Sequence, residues 1–263
     1  MDAEVNDLVP AAPRPGAPAL EKGLDLLEAL AAAPAGLTQS QLARQIGRSV
    51  GEIFRMLAVL ERRGYVGRDA RSGEYGLSLR LFQLATQHPP ARRLQQAALP
   101  VMDALAASLG QSCHLGMAHG EHFIIVAQAE AGAPMGWVVR LGAVFPFSLG
   151  YVSARVLAAF QGERRRGEFA ALLAREAGTA PEEVAARLGR IAAAGYDMAP
   201  SEFVVGLTDM SAPVLDHAGQ AVAALTLPYL AIRNRPADLT EPLSALRRAA
   251  AEISRTIGGQ PDP

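Results

Sequence analysis

Residues 38–64 read TQSQLARQIGRSVGEIFRMLAVLERRG, and the spacing inside this stretch decides the fold of the N-terminal part of the chain. Thr38 is followed three positions later by Gln41, and Ser49 by Glu52. In each pair a hydroxyl can accept from a free backbone N–H of the first helical turn, and the longer side chain can reach back to the capping residue, so each pair marks a helix start. Leu42 and Ile46 give the first helix an apolar side; Ile53, Met56, Leu57 and Leu60 give one to the second. Gly47 separates the two and Gly64 ends the second. Two short helices meeting at a glycine form the layout in which a second helix is presented to the major groove of DNA.

The pattern extends outward on both sides. Upstream, Leu20, Leu24, Leu27 and Leu30 recur at helical spacing until Pro34-Ala35-Gly36 stops them, which predicts a helix over 20–32. Downstream, Tyr65-Val66 and 74–77 flank a polar loop at 67–73 and predict the two strands of a wing. Leu79, Leu81, Phe82 and Leu84 predict a further helix, and His88-Pro89-Pro90 interrupts it. The boundary between two domains is therefore expected near residue 88: a disordered tail at 1–19, a winged helix-turn-helix at 20–77, a linker helix and hinge at 78–90, and a second domain at 91–259.

That second domain opens with a helical pattern at 91–109 and continues with two apolar pairs. The first pair, 113–118 and 123–129, turns at His119-Gly120; the second, 208–215 and 221–227, turns at Asp216-His217-Ala218-Gly219-Gln220, where Asp and Gly suit a chain reversal. Helical patterns lie at 152–161, 168–176, 181–194 and 240–257. The expected fold is multi-domain: a helical winged head, then an α/β domain with an antiparallel sheet flanked by helices.

The formal net charge of the 263 residues is −1, so affinity for nucleic acid has to come from a local surface. One exists. Between Thr38 and Ser72 seven arginines stand against three acids, a local balance of +4. Arg44, Arg48, Arg68 and Arg71 are candidates for phosphate or minor-groove contacts, and base reading is expected from the start of the second helix, at Ser49 to Glu52 followed by Arg55, where only Glu52 and Arg55 have side chains suited to base edges. The competing reading pairs Arg55 with Glu52 or Glu61 and makes the head a protein-binding module. A single cysteine, Cys113, excludes an intrachain disulfide and fits a reducing cytosol. The first residues lack the order of a signal peptide, and no apolar run reaches the roughly 18 residues that cross a membrane.

Taken in order, Leu20-Glu-Lys-Gly-Leu-Asp-Leu-Leu, Leu37-Thr-Gln-Ser-Gln-Leu-Ala, Ile53-Phe-Arg-Met-Leu-Ala-Val-Leu-Glu, Gly64-Tyr-Val, Leu141-Gly-Ala-Val-Phe-Pro-Phe, Gly195-Tyr-Asp-Met, Glu202, Gly206 and Ala212-Pro-Val-Leu-Asp resemble the IclR family of transcription regulators. The resemblance implies a GAF-like second domain that binds a small-molecule effector, an organic acid or an aromatic metabolite, and thereby alters binding to a double-stranded DNA operator. Two recognition helices that span related half-sites call for a dimer, which the resemblance extends to a tetramer; the expected location is cytoplasmic without membrane contact, and no motif calls for a cofactor or for enzymatic activity. The other reading left open is a GAF-like enzyme or signalling module whose head binds protein.

The segment Pro146-Phe-Ser-Leu-Gly-Tyr-Val-Ser-Ala-Arg matches the family's pocket loop, which places Ser148, Gly150, Tyr151 and Ser153 at lining positions. Ser148, Ser153 and Ala154 depart from the His, Gly and Lys common there, so the effectors of familiar members cannot be transferred. Asp209 falls where many relatives carry Cys, and strand alternation puts Ser211 on its face. Thr226 and Pro228 match pocket-facing positions, with Trp137 as a prospective aromatic wall and Arg140 as a carboxylate clamp. Cys113, His114, His119 and His122 contain two good metal-ligand types, but their spacing on a hairpin gathers no zinc site. No nucleophile elbow, P-loop or dinucleotide fingerprint is present.

Overall fold

The computed structural model describes residues 17–87, 89–132, 136–231 and 238–259. The chain divides into two compact units, Met1–Pro89 and Pro90–Pro263. Most of the tail expected at 1–19 lies outside the described residues, as does His88.

In the first unit, α1 (Pro18–Ala32), α2 (Gln39–Gln45) and α3 (Val50–Arg62) precede a two-stranded antiparallel hairpin of β1 (Val66–Arg68) and β2 (Tyr75–Leu77), then α4 (Arg80–Gln87). Both capping boxes form. The Thr38 N–H donates to Gln41 Oε1 at 2.7 Å, and the Ser49 N–H to Glu52 Oε2 at 2.9 Å. Gly47 turns the chain between α2 and α3 at φ 63°, a left-handed conformation that side chains with a Cβ avoid. Leu26, Leu42, Ile53, Leu57 and Val66 close one small core. Each such side chain contributes about 1.5–3 kcal/mol on burial, enough to fix the angle at which α3 is presented. The first helix starts two residues earlier than its leucine pattern, because Pro18 fits the first helical turn.

The second unit is a six-stranded antiparallel sheet. Its chain order is α5 (Pro89–Leu109), β3 (Cys113–His119), β4 (His122–Ala129), β5 (Val144–Pro146), α6 (Val152–Ala159), α7 (Glu163–Ala177), α8 (Pro181–Ala194), β6 (Asp197–Pro200), β7 (Leu207–Leu215), β8 (Ala221–Leu230) and α9 (Thr240–Thr256). The strands lie in the order β5-β4-β3-β8-β7-β6. The two expected pairs are the four central strands; the edge strands β5 and β6 carry no comparable apolar run and were not anticipated. Helix α4 ends at Gln87, and the proline pair at which a helix break was expected opens α5, since proline is tolerated in a first turn.

Alternation along the strands sorts their side chains into two layers. Cys113, Leu115, Met210, Ala212, Leu225 and Leu227 pack beneath α5 and α9. His114, Asp209, Ser211, Thr226 and Pro228 occupy the alternate positions, on the side covered by α6. A bulge in the β3–β4 pairing shifts register between Leu115 and Gly116, so Phe123 and Ile125 join the α6 layer while Ala127 and Ala129 join the other. Arg155 of α6 is fully buried: its Nε donates to Asp197 Oδ2 at 2.5 Å and its Nη1 to the Leu149 carbonyl. This ion pair ties α6 to the start of β6.

Candidate nucleic-acid interface and effector cavity

Helix α3 turns Ile53 and Leu57 into the core, which leaves Gly51, Arg55, Ala58 and Arg62 on the opposite, exposed side. Arg55 stands in the middle of that side with small neighbours above and below, the shape that lets a guanidinium approach base edges. No ion pair holds it among the described residues. Glu52 is differently placed. Its Oε2 accepts from both the N–H and the hydroxyl of Ser49 at 2.9 Å, and its Oε1 pairs with Lys22 Nζ at 3.0 Å. The Ser49 backbone bond, then Lys22, hold this carboxyl at about 2. Ser49 and Glu52 are thus engaged with each other at the helix start, and the cations on the exposed side of α3 are Arg55, in its middle, and Arg62, at its end.

Arg44 and Arg48 are exposed at the end of α2 and in the turn, and Arg68 and Arg71 are exposed on the hairpin. Arg68 lies over the Tyr75 ring at 5.4 Å and donates to the Gly73 carbonyl at 3.3 Å, which steadies its guanidinium. The Asp69 carboxylate accepts from the backbone N–H groups of Arg71 and Ser72 and shapes the tip from which the Arg71 side chain projects. These four cations and Arg55 belong to one unit, and all are open to solvent.

In the second unit a cavity of about 220 Å³ opens between the N-terminus of α6, the sheet and the loop joining β6 to β7. Phe123, Trp137, Phe145, Tyr151 and Phe203 wall it. Tyr151 stacks on Phe203 with ring centroids 4.5 Å apart, and Phe123 on Phe145 at 5.2 Å. Into this aromatic enclosure project the polar side chains of His114, Ser153, Ser201, Asp209 and Thr226. Aromatic walls with a few convergent polar groups are the usual make-up of a small-molecule site. A wider depression of about 980 Å³ edged by Arg247, Arg248 and Arg255 lacks such walls.

The floor of the cavity is a chain of hydroxyls. Ser153 Oγ lies 2.8 Å from Thr226 Oγ1, which lies 2.9 Å from Ser211 Oγ. Ser211 therefore supports Thr226 from behind and does not line the space. Asp209 does line it; burial raises its carboxyl above the ordinary range, opposed by a hydrogen bond from Ser201 and by the charge of Arg155. His114 is buried, its Nδ1 has no partner, and burial holds the ring neutral with a pKa of about 4.

Of the residues expected at the site, Trp137, Tyr151, Ser153, Asp209 and Thr226 meet around one space, together with Pro228. Arg140 is exposed and outside the cavity wall, so no carboxylate clamp stands there. Ser148 and Gly150 also fall outside the wall. Gly150 has a different use: a Cβ at that position would come within 2.9 Å of Glu202 Oε2 and 3.1 Å of the Phe203 ring, so its absence lets the β6–β7 loop close on α6. His114, Phe123, Phe145 and Phe203 were not anticipated. Alternation of His114 with Cys113 and Leu115 was the available signal, and it also separates Cys113 from His114 on opposite faces of the sheet. Among the described residues no three metal-ligating side chains gather, and no helix is long and apolar enough to cross a membrane.

Comparison with known proteins agrees with this arrangement. The model for the IclR helix-turn-helix domain matches residues 19–70, and that for the C-terminal part of IclR bacterial transcriptional regulators matches residues 90–255. The chain is 30% identical over 247 residues to the glycerol operon regulatory protein of Streptomyces griseus, covering 91% of this chain and 96% of that one. The crystal structure of Pseudomonas aeruginosa HmgR superposes with a TM-score of 0.72 at 26% identity over 92% of this chain and 99% of the other. An IclR homologue from Microbacterium hydrocarbonoxydans, crystallised with 4-hydroxybenzoate, superposes with a TM-score of 0.73 at 21% identity over 91% and 98%, a likeness of fold. The relatives are named as regulators rather than enzymes, and the order of the two matched regions is the order of the two units. The chain belongs to the IclR family of bacterial transcriptional regulators.

Proposed function

We propose that this protein is a sequence-specific DNA-binding regulator whose operator affinity is set by a small molecule held in the 220 Å³ cavity of its second unit. The observation that carries the reading is the division of labour: exposed arginines around a capped α3 in one unit, and an aromatic enclosure with converging polar groups in the other. Residues 20–77 form the reading head, 78–90 the connection and 91–259 a GAF-like effector domain. Arg44, Arg48, Arg68 and Arg71 hold phosphates, and Arg55 reads a base edge from the start of α3, beside the Ser49–Glu52 cap. Two heads in a dimer, or in a tetramer of two dimers, meet half-sites about one helical turn apart, and the partner being a chromosomal operator puts the protein in the cytoplasm.

Selection of bound duplexes from a random pool tests this, followed by affinity for the enriched duplex and for scrambled DNA at two salt concentrations. Enrichment of a roughly palindromic site, with affinity falling steeply as salt rises, is the expected result. Binding that ignores salt, or equal affinity for scrambled DNA, would reject it.

A further inference from the structure

The composition of the cavity wall selects among ligand charges. This step rests on the effector-cavity reading above and names the class of molecule the cavity takes. Asp209 is the charged side chain on the wall, and no Arg or Lys lines it among the described residues. Arg155, the cation nearest to Asp209 in charge interaction, is buried outside the wall; its Nε is on Asp197 and its Nη1 on the Leu149 carbonyl, while its Nη2 has no partner but does not reach the lining. Arg140, the one cation the sequence offered as a clamp, is exposed and does not line the cavity. His114 is held neutral by burial and adds no positive charge. A ligand carboxylate entering here would lose its hydration, gain no cationic partner and face a carboxyl group, each of which opposes binding.

The aromatic walls point the other way. Ring faces carry negative potential and attract cations, most strongly where water is excluded, and here Tyr151, Phe203, Phe123 and Phe145 line the same cavity as a single carboxyl group. The volume sets the size. A cavity of about 150 Å³ holds benzene, so about 220 Å³ takes one ring with a short substituent. We infer that the cavity binds a single-ring organic ammonium ion, with its ring among the aromatic walls and its nitrogen on Asp209.

Three molecules of nearly equal shape test this on the full-length protein: benzylamine, benzyl alcohol and benzoate, titrated at neutral pH. Trp137, the one tryptophan of the chain and part of the wall, provides the fluorescence signal, with calorimetry as a second readout. Benzylamine is expected to bind tightest and benzoate weakest. A hydrogen bond to a charged group contributes about 1.5–3 kcal/mol, so Asp209→Asn should weaken benzylamine about ten- to hundredfold while leaving benzyl alcohol within about threefold. Retention of benzyl alcohol binding shows that the variant is folded. Benzoate binding as tightly as benzylamine, or benzylamine indifferent to Asp209→Asn, overturns the inference while keeping the effector-cavity reading. Failure of all three to bind overturns the inference as well, and duplex selection judges the regulator reading independently of it.

Discussion

His114 makes the second unit sensitive to mild acid, and the size of the effect follows from its burial. Its pKa falls from the ordinary 6.5 to about 4 because protonation would place a charge on a buried ring, with Nδ1 unpartnered. A depressed histidine pKa means that the unfolded chain takes up the proton first. Stability is therefore fully present above pH 6.5 and is lost as the pH falls toward 4. Integrating the proton uptake between these two values gives a loss of about 2 kcal/mol between pH 7 and pH 5.

Urea unfolding followed by tryptophan fluorescence measures this loss directly, because the single tryptophan, Trp137, belongs to the second unit and reports on it alone. With a denaturant slope of about 2 kcal/mol per molar, the midpoint should fall by about 1 M on acidification at fixed protein concentration. The His114→Gln variant titrates every other group but this one. Its midpoint should move less than that of the parent by nearly the whole of that amount. Equal shifts in parent and variant would refute the assignment of the pH dependence to His114.

The other expectations concern both units. Arg55→Ala should remove discrimination at one base position, by about 1–3 kcal/mol, whereas Arg71→Ala should weaken all duplexes alike and lower the salt slope by about one; duplex selection with each variant separates the two. Asp197→Asn leaves the buried Arg155 guanidinium without its counter-charge and should cost about 3–5 kcal/mol by urea unfolding, while the double variant Arg155→Leu/Asp197→Asn should recover most of that loss. Burial pushes the Cys113 thiol up to about 12, so a thiol reagent at pH 8 should leave the native protein unmodified and label one cysteine per chain in denaturant.

What the sequence disclosed depended on the range over which each signal acts. The capping boxes at Thr38 and Ser49 are local: the partner stands three residues away, and both form as the spacing demands. Alternation on β7 is also local, and it put Asp209 and Ser211 on one face. That only Asp209 reaches the cavity depends on β8, where Thr226 stands opposite Ser211 and covers it. The short strand β6 is four residues ending in Pro200, tolerable at a sheet edge and carrying no periodic signature of its own. Phe203 sits on the irregular connection from β6 to β7, and its place in the wall is set by contact with Tyr151, 52 residues away in sequence. Arg140 shows the converse: its residue type suits a clamp, but its segment turns it to solvent.

The parts of the cavity differ in how firmly they are held, which decides where an effector can act. Tyr151 and Ser153 come from the N-terminus of α6, and that helix is fixed twice, through Ser153 to Thr226 and through Arg155 to Asp197. The floor is held by the ladder between β7 and β8 and by the hydroxyl chain that crosses it. Ser201 and Phe203 are held differently: the Ser201 N–H donates to the Leu207 carbonyl at 2.9 Å and closes the loop at its base, the Ser201 side chain bonds to Asp209, and the Phe203 ring rests on Tyr151 across the space left by Gly150. Phe203 remains 60% exposed, and Val205 beside it is fully exposed. A ligand shifts an equilibrium only by binding one arrangement better than another, and a floor common to both arrangements supplies no difference. On the proposed effector reading, the contacts that transmit occupancy are therefore those to Phe203 and Ser201, whereas Thr226, Ser153 and Pro228 belong to the fixed floor. Asp209 belongs to both groups, being part of the sheet and hydrogen-bonded to the loop. On that reading, a molecule that engages its carboxyl group competes with the Ser201 hydroxyl, while the backbone bond from Ser201 to Leu207 keeps the loop closed at its base.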